Sequence, residues 1–455
     1  MSSPAQTPGR RPAPSSPVVT EWRTPTVRPD RPRLLLGVLL LAAAMPVRFP
    51  VHTPVFTSVS VLDVVLLVVA VTLVLDLPFH RLDLGYRTIF VVLAVPAVAI
   101  VLSLAWSQDR AATLAVAGFT LESVVVYLFV TRELEGLSSE RIVALLERFV
   151  VLLIVPAVLL LLHVPGFQPE QPGLSPSSGD YLGYYTRLSH PVLGRSNNLA
   201  TVLVVFVPVL LWWGHTRRKR AAAFVGFLGL AAVIATQSRG VVLASVVALG
   251  IFALVRPPQR IRGRPFFGKV FGATVVLALA GVVFYELNPL TRELGASRFS
   301  LENVSLRIAL YGEAFGRLGA RPWTGFGPGV VPDGNTALTV GTQVLTAEQG
   351  DVHNTYVQQL LSFGVPVGVV VSVALLTLPV WFFVRARAVP AAGVVGLALT
   401  IELVSFAFES SFEGSVLRVI FYLSVGLLAG LVRRLEADGE ANAVAPAAPG
   451  RQSTR

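Results

Sequence analysis

Residues 356–384 read YVQQLLSFGVPVGVVVSVALLTLPVWFFV, an apolar run without a charged residue, and Arg385-Ala386-Arg387 closes it. A helix that crosses a bilayer needs roughly 20 apolar residues, so this stretch is long enough to span. The arginines behind it fit the basic flank of a cytoplasmic end. The same pattern recurs on both sides, at 34–45, 59–76, 88–106, 111–131, 142–162, 197–214, 221–236, 241–255, 270–287, 389–408 and 415–432. The expected fold is therefore all-α, a polytopic membrane protein of about 12 transmembrane helices with a long, partly helical external loop. Several runs are nearer 16 residues than 20, which calls for tilt or for shielding by neighbouring helices.

Composition points the same way. Of 455 residues 53% are hydrophobic and 14% charged, with a mean hydropathy of +0.68, which excludes a large soluble catalytic domain. The net charge of +11 does not indicate nucleic acid, because no polar domain offers a basic face. Cysteine is absent, and the six histidines form no His-x-x-x-His pair. Disulfides, thiolate chemistry, zinc or haem centres and a redox centre are thus not expected.

The chain divides by composition. Residues 1–33 are rich in Pro, Ser, Thr and Arg and read as a disordered cytoplasmic tail. The run that follows has an arginine-rich approach, but Met45-Pro46-Val47-Arg48 is a poor cleavage site, so it reads as a retained first helix. Transmembrane helices 1–9 occupy 34–287, an external loop with an amphipathic helix 288–355, helices 10–12 356–434, and a second disordered cytoplasmic tail 435–455. With both termini inside, the clusters Arg217-Arg218-Lys219-Arg220 and Arg256 to Lys269 also fall inside, as the positive-inside rule requires. The long outward segments are then 163–196 and 288–355. In the second, Val304, Ile308, Tyr311, Phe315 and Leu318 form one apolar helical stripe.

Chemistry-bearing residues concentrate in these outward parts. Thr236-Gln237-Ser238-Arg239-Gly240 sets an arginine in a tight turn between two apolar helices, where glycine permits the reversal. That arginine is either an interfacial side chain or a ligand for an anion. Arg307 flanks the amphipathic stripe and could face a cavity beneath it. Gly325-x-Gly327-x-Gly329 either cradles a phosphate with main-chain N–H groups or serves as a connecting turn. His353-Asn354 stands at the entry to the next span, the histidine suited to proton transfer or to an interfacial role and Asn354 to capping, with Asp351 near enough to orient the ring. Arg187, Arg195, Asn197 and Asn198 precede the sixth span, and His190 is a weaker candidate beside them. Glu122 and Glu402 read as mid-span carboxylates, either ion sites or structural groups.

Taken in order and spacing, the Ser238-Arg239-Gly240 turn, Arg307, Gly325-x-Gly327-x-Gly329, His353-Asn354, and Gly364 followed by Gly368 resemble the O-antigen ligase and O-antigen polymerase family. The resemblance covers roughly 190–370 and only in hydropathy the first five spans. It implies an all-helical glycosyltransferase that moves a glycan from an undecaprenyl diphosphate carrier to a glycan or lipid acceptor at the outer face of the bacterial cytoplasmic membrane. By the same resemblance Arg239 and Arg307 would hold the diphosphate and His353 would be the general base, without metal or cofactor. Arg187, Asn198, Gly325, Gly327 and Asn354 are further candidates for substrate binding. A rival expectation is a transporter or flippase of lipid-linked glycan or of an anion, with Glu122 and Glu402 as its ion sites; it would call for inverted repeats with interrupted helices, and the sequence shows none.

Overall fold

The computed structural model describes residues 34–45, 48–50, 58–76, 84–162, 164, 188–190, 193, 196–255, 301–330, 338–340, 343–345, 354–408 and 415–444. The described helices are α1 (Leu34–Ala44), α2 (Val61–Asp76), α3 (Arg87–Ser103), α4 (Arg110–Glu133), α5 (Ser139–Leu161), α6 (Ser196–Thr216), α7 (Arg220–Ala235), α8 (Arg239–Val255), α9 (Leu301–Ala320), α10 (Thr355–Arg385), α11 (Pro390–Ser405) and α12 (Ser415–Val444). Two short antiparallel hairpins, β1 (Arg48–Pro50) with β2 (Ser58–Ser60) and β3 (Leu338–Val340) with β4 (Gln343–Leu345), qualify the all-α expectation. Five helices, α4, α5, α6, α10 and α12, are long and apolar enough to cross a membrane, and α1, α2, α3, α7 and α11 are shorter apolar helices. The run at 270–287, expected as the ninth span, lies outside the described residues.

Local chemistry starts these helices where the apolar runs begin. Ser60 and Asp63 cap α2 reciprocally, the Ser60 N–H donating to Asp63 Oδ2 at 2.7 Å and the Asp63 N–H to Ser60 Oγ at 3.2 Å. Asp109 caps α4 through the Ala112 N–H at 3.0 Å, and Ser138 caps α5. Helices α6, α11 and α12 are buried on nearly all sides, whereas α10 exposes Val369, Val370, Val373, Leu376 and Val380, the apolar face expected toward lipid. Arg418, buried in the first turn of α12, donates to Thr120 Oγ1 and to the Val116 carbonyl of α4. Its hydrogen bonds explain how a guanidinium is tolerated there.

One end of the bundle is basic and clasped. Arg385 pairs with Glu436 at 2.7 Å, the Tyr86 hydroxyl donates to the same carboxylate at 2.5 Å, and the Arg385 guanidinium stacks on Tyr86 and Trp381 at 4.6 and 4.5 Å. These contacts, with Arg434–Asp438, carry α12 on to Val444, past residue 434 where sequence composition ended it.

Helix α10 is broken. Gly364 has φ 76° and ψ 170°, a conformation reserved for glycine, and the Val365 N–H donates outward to the Pro322 carbonyl at 2.7 Å. A Cβ on Gly368 would approach the Gln359 carbonyl oxygen to 2.7 Å. These two residues would stand roughly 13 Å apart along a straight helix. Thr355–Phe363 therefore folds back over the longer half of α10, and the two glycines make the fold possible.

Candidate functional site

The end of the bundle away from the basic clasp gathers the sequence motifs, and the last turn of α11 holds them. The Thr355 N–H donates to the Phe406 carbonyl at 2.8 Å, and the Tyr356 hydroxyl donates to the Leu403 carbonyl at 2.5 Å. Asn354 caps α10, its Oδ1 accepting from the N–H groups of Tyr356 and Val357 at 3.0 and 3.1 Å. His353 and Asp351 lie outside the described residues, but His353 is the residue before this cap.

The α7–α8 turn meets the same end of α11. Gly240 packs on Phe408, where a Cβ would come within 2.9 Å of the Phe408 Cβ. The reversal itself falls on Gln237, at φ 54°. Glycine was expected to supply that reversal; Gly240 instead provides the close approach of α8 to α11. Ser238 Oγ lies 3.5 Å from the Val241 N–H it accepts, so Arg239 is the first residue of α8.

Helix α9 carries Arg307 and packs on the folded-back half of α10, with Tyr311, Ala314 and Leu318 against Val357, Leu360, Leu361 and Phe326. The expected stripe is corrected at one position: Phe315 is 52% exposed and Ala314 takes its place in the contact. Glu313 and Arg317 pair one turn apart on its flank.

The glycine run that follows is a packing device. The Gly325 N–H donates to the Arg321 carbonyl at 3.0 Å, the Phe326 N–H to the Leu361 carbonyl and the Gly327 N–H to the Ser362 carbonyl, both at 2.9 Å. On the other side the Gln108 N–H donates to the Phe326 carbonyl at 3.0 Å, Trp106 Nε1–H to the Thr324 carbonyl at 2.6 Å, and Thr113 Oγ1–H to the Pro328 carbonyl at 2.9 Å. Residues 321–330 thus wedge between the α10 break and the α3–α4 turn. With the Gly325 and Gly327 amides committed to protein carbonyls, those two donors are not offered to an anion.

The exit of the first long loop joins from a third side. The Leu188 N–H donates to the carbonyl of Ala235, the last residue of α7, at 3.0 Å. His190 is fully buried; its Nδ1 accepts from the Leu193 N–H at 3.1 Å, and the ring lies against the Ala44 backbone at the end of α1. Burial lowers its pKa to about 4. Asn198 Nδ2 donates to the Leu193 carbonyl at 2.7 Å. Arg187 and Arg195 lie outside the described residues.

Two carboxylates need correcting or placing. Glu402 was expected in mid-span, but it falls in the last turn of α11, 2% exposed, and its Oε2 has no hydrogen-bond partner among the described residues. Glu122 is partly buried in α4, in electrostatic reach of Asp63 on α2. Sequence reasoning underrated His190, since nothing in its neighbours signals burial, and it passed over Arg418, whose partners are some 300 residues away. Among the described residues no group of three or more His, Cys, Asp or Glu could hold a metal.

Apolar helices packed around α6, α11 and α12, with a basic clasp at one end and the loop motifs at the other, define a multi-pass membrane protein. Residues 224–372 match the family model described as O-antigen ligase. The segment takes in Arg239, Arg307, the glycine run, His353, Gly364 and Gly368. No curated protein matches the chain at a significant level.

Proposed function

We propose that the protein is a membrane glycosyltransferase of the O-antigen ligase and polymerase type, acting at the outer face of the cytoplasmic membrane on an undecaprenyl diphosphate-linked glycan. The observation that supports it best is the meeting of three elements at one end of the bundle. The turn that starts α8 at Arg239 and the α10 cap that follows His353 are both seated on residues 403–408, at and just past the end of α11, and α9, which bears Arg307, lies on the first turns of α10.

In this reading Arg239 and Arg307 grip the carrier diphosphate, because guanidinium groups pair phosphate oxygens two at a time and stabilise the charge that grows on departure. The acceptor hydroxyl oxygen bonds to the anomeric carbon, and the bond from that carbon to the diphosphate oxygen breaks with its electron pair going to the diphosphate. The hydroxyl proton passes to His353, a base with a ring pKa suited to neutral pH. No metal is required for the charge balance, since the arginines meet it. The glycine run and the Gly364 break hold the α10 cap and α9 in place, and Asn354 acts as the cap, not as a substrate ligand. Arg187 and Asn198 are further substrate-binding candidates in this reading.

Orientation follows from charge. Arg217, Arg220, Arg385, Arg387 and Arg434 stand at the opposite helix ends, which the positive-inside rule assigns to the cytoplasm along with both tails. The spans within 34–287 and 356–434 then flank an external 288–355. Purified protein given lipid-linked glycan and hydroxyl acceptors tests the reading: a new glycan–acceptor bond should form, and in Arg239→Lys or Arg307→Lys both turnover and carrier binding should fall. Full activity in both lysine variants would remove the diphosphate clamp from the account.

A further inference from the structure

The first long loop, 163–196, takes no part in the bond exchange set out above, yet its exit is held to α1, α6 and α7 around one buried side chain. We infer that His190 is a positioning residue that docks this loop on the reacting end of the bundle, an inference that rests on the glycosyltransferase reading. The ring is fully buried and sits between two backbones, accepting from the Leu193 N–H at 3.1 Å through Nδ1 and lying against the end of α1 at Ala44.

Two neighbouring contacts show what the ring secures. Two residues before it, the Leu188 N–H satisfies the Ala235 carbonyl at 3.0 Å, one of the orphan carbonyls at the end of α7. Ala235 is four residues before Arg239, and Leu188 directly follows Arg187. Three residues after the ring, the Leu193 carbonyl accepts from Asn198 Nδ2 at 2.7 Å, closing the loop onto α6. Leu188 is therefore fixed beside the α7–α8 turn and Leu193 against the start of α6. Protonated on Nδ1, the ring would lose its acceptor and the Leu193 bond with it, so docking uses the neutral imidazole.

Such a residue acts on the donor lipid through the loop, so its loss raises KM for the lipid-linked donor more than it lowers kcat. The test combines hydrogen exchange with kinetics on the full chain in lipid nanodiscs. In His190→Ala and in His190→Phe, which keeps the volume but not the acceptor, the Leu188 and Leu193 amides should exchange about tenfold faster or more, and KM for undecaprenyl diphosphate-linked glycan should rise by a similar factor. His190→Asn keeps an acceptor for the Leu193 N–H and should restore most of the protection at that amide. Unchanged exchange in both the Ala and Phe variants would overturn the docking role, and faster exchange with KM and kcat both unaltered would overturn the positioning role. A wild-type protein without transfer activity would instead refute the glycosyltransferase reading, while the exchange measurement would still report on docking.

Discussion

Replacing Gly364 by alanine tests whether the break in α10 builds the site. The residue has φ 76° and ψ 170°, and holding an L-residue there costs about 1–3 kcal/mol. The added Cβ would overlap the Trp323 carbonyl and come within 2.6 Å of the Thr324 nitrogen. That backbone has little freedom to move, because the Pro322 carbonyl accepts from the Val365 N–H at 2.7 Å and the Thr324 carbonyl from Trp106 at 2.6 Å. Relieving the overlap adds about 1–3 kcal/mol, for a total of about 2–6 kcal/mol concentrated where α9, residues 321–330 and α10 meet. The assay is thermal unfolding in nanodiscs read by tryptophan fluorescence, with Trp323 and Trp106 as local reporters, together with transfer activity. Gly364→Ala should melt several degrees lower and lose most of its turnover. Gly312→Ala is the control, since that Cβ would meet nothing within 4 Å and alanine favours a helix interior by about 1 kcal/mol. Wild-type melting and turnover in Gly364→Ala would refute the reasoning.

Three further outcomes are expected. Burial moves the His190 imidazole from 6.5 down to about 4, the adjacent Ala44 backbone opposing the shift. The unfolded chain therefore takes up the proton first as pH falls, so this contribution to stability is whole above about pH 6.5 and declines by about 3 kcal/mol toward pH 4. Melting of wild type and His190→Asn from pH 7.5 to 4.5 should show the steeper acid loss in wild type, and equal slopes would contradict it. Transfer should survive EDTA, whereas loss of turnover restored by magnesium or manganese would show that carboxylates of this chain bind metal. Because the chain has no cysteine, Ser300→Cys should react with an impermeant maleimide on intact cells and Ser2→Cys only after permeabilisation; the reverse pattern would invert the proposed orientation.

Periodicity and charge made much of the architecture legible. The apolar runs coincide with eleven of the described helices, and the stripe in 301–320 predicted α9, because burial in lipid or against a neighbour leaves a local pattern. The cap at Asn354 was similarly readable from residue type. What escaped depends on distant partners. Nothing local distinguishes glycines that cradle a phosphate from glycines that let residues 321–330 approach Leu361, Ser362 and the α3–α4 turn. The burial of His190 is set by the ends of α1 and α7, and the exposure of Phe315 by where α10 runs beneath α9. Glu402 was assigned to mid-span because the apolar run 389–408 continues beyond the helix, which ends at Ser405 in a turn that the Phe406 carbonyl uses to hold α10.

The most direct measurement of the central claim is a mass balance on purified protein in nanodiscs that contain undecaprenyl diphosphate-linked glycan and a hydroxyl acceptor. Each glycan–acceptor bond formed should release one free undecaprenyl diphosphate, and His353→Ala should slow that release by about 10²–10⁴ while carrier binding persists. Movement of intact lipid-linked glycan between leaflets with no new glycosidic bond, unaffected by His353→Ala, would contradict the account and identify a transporter instead.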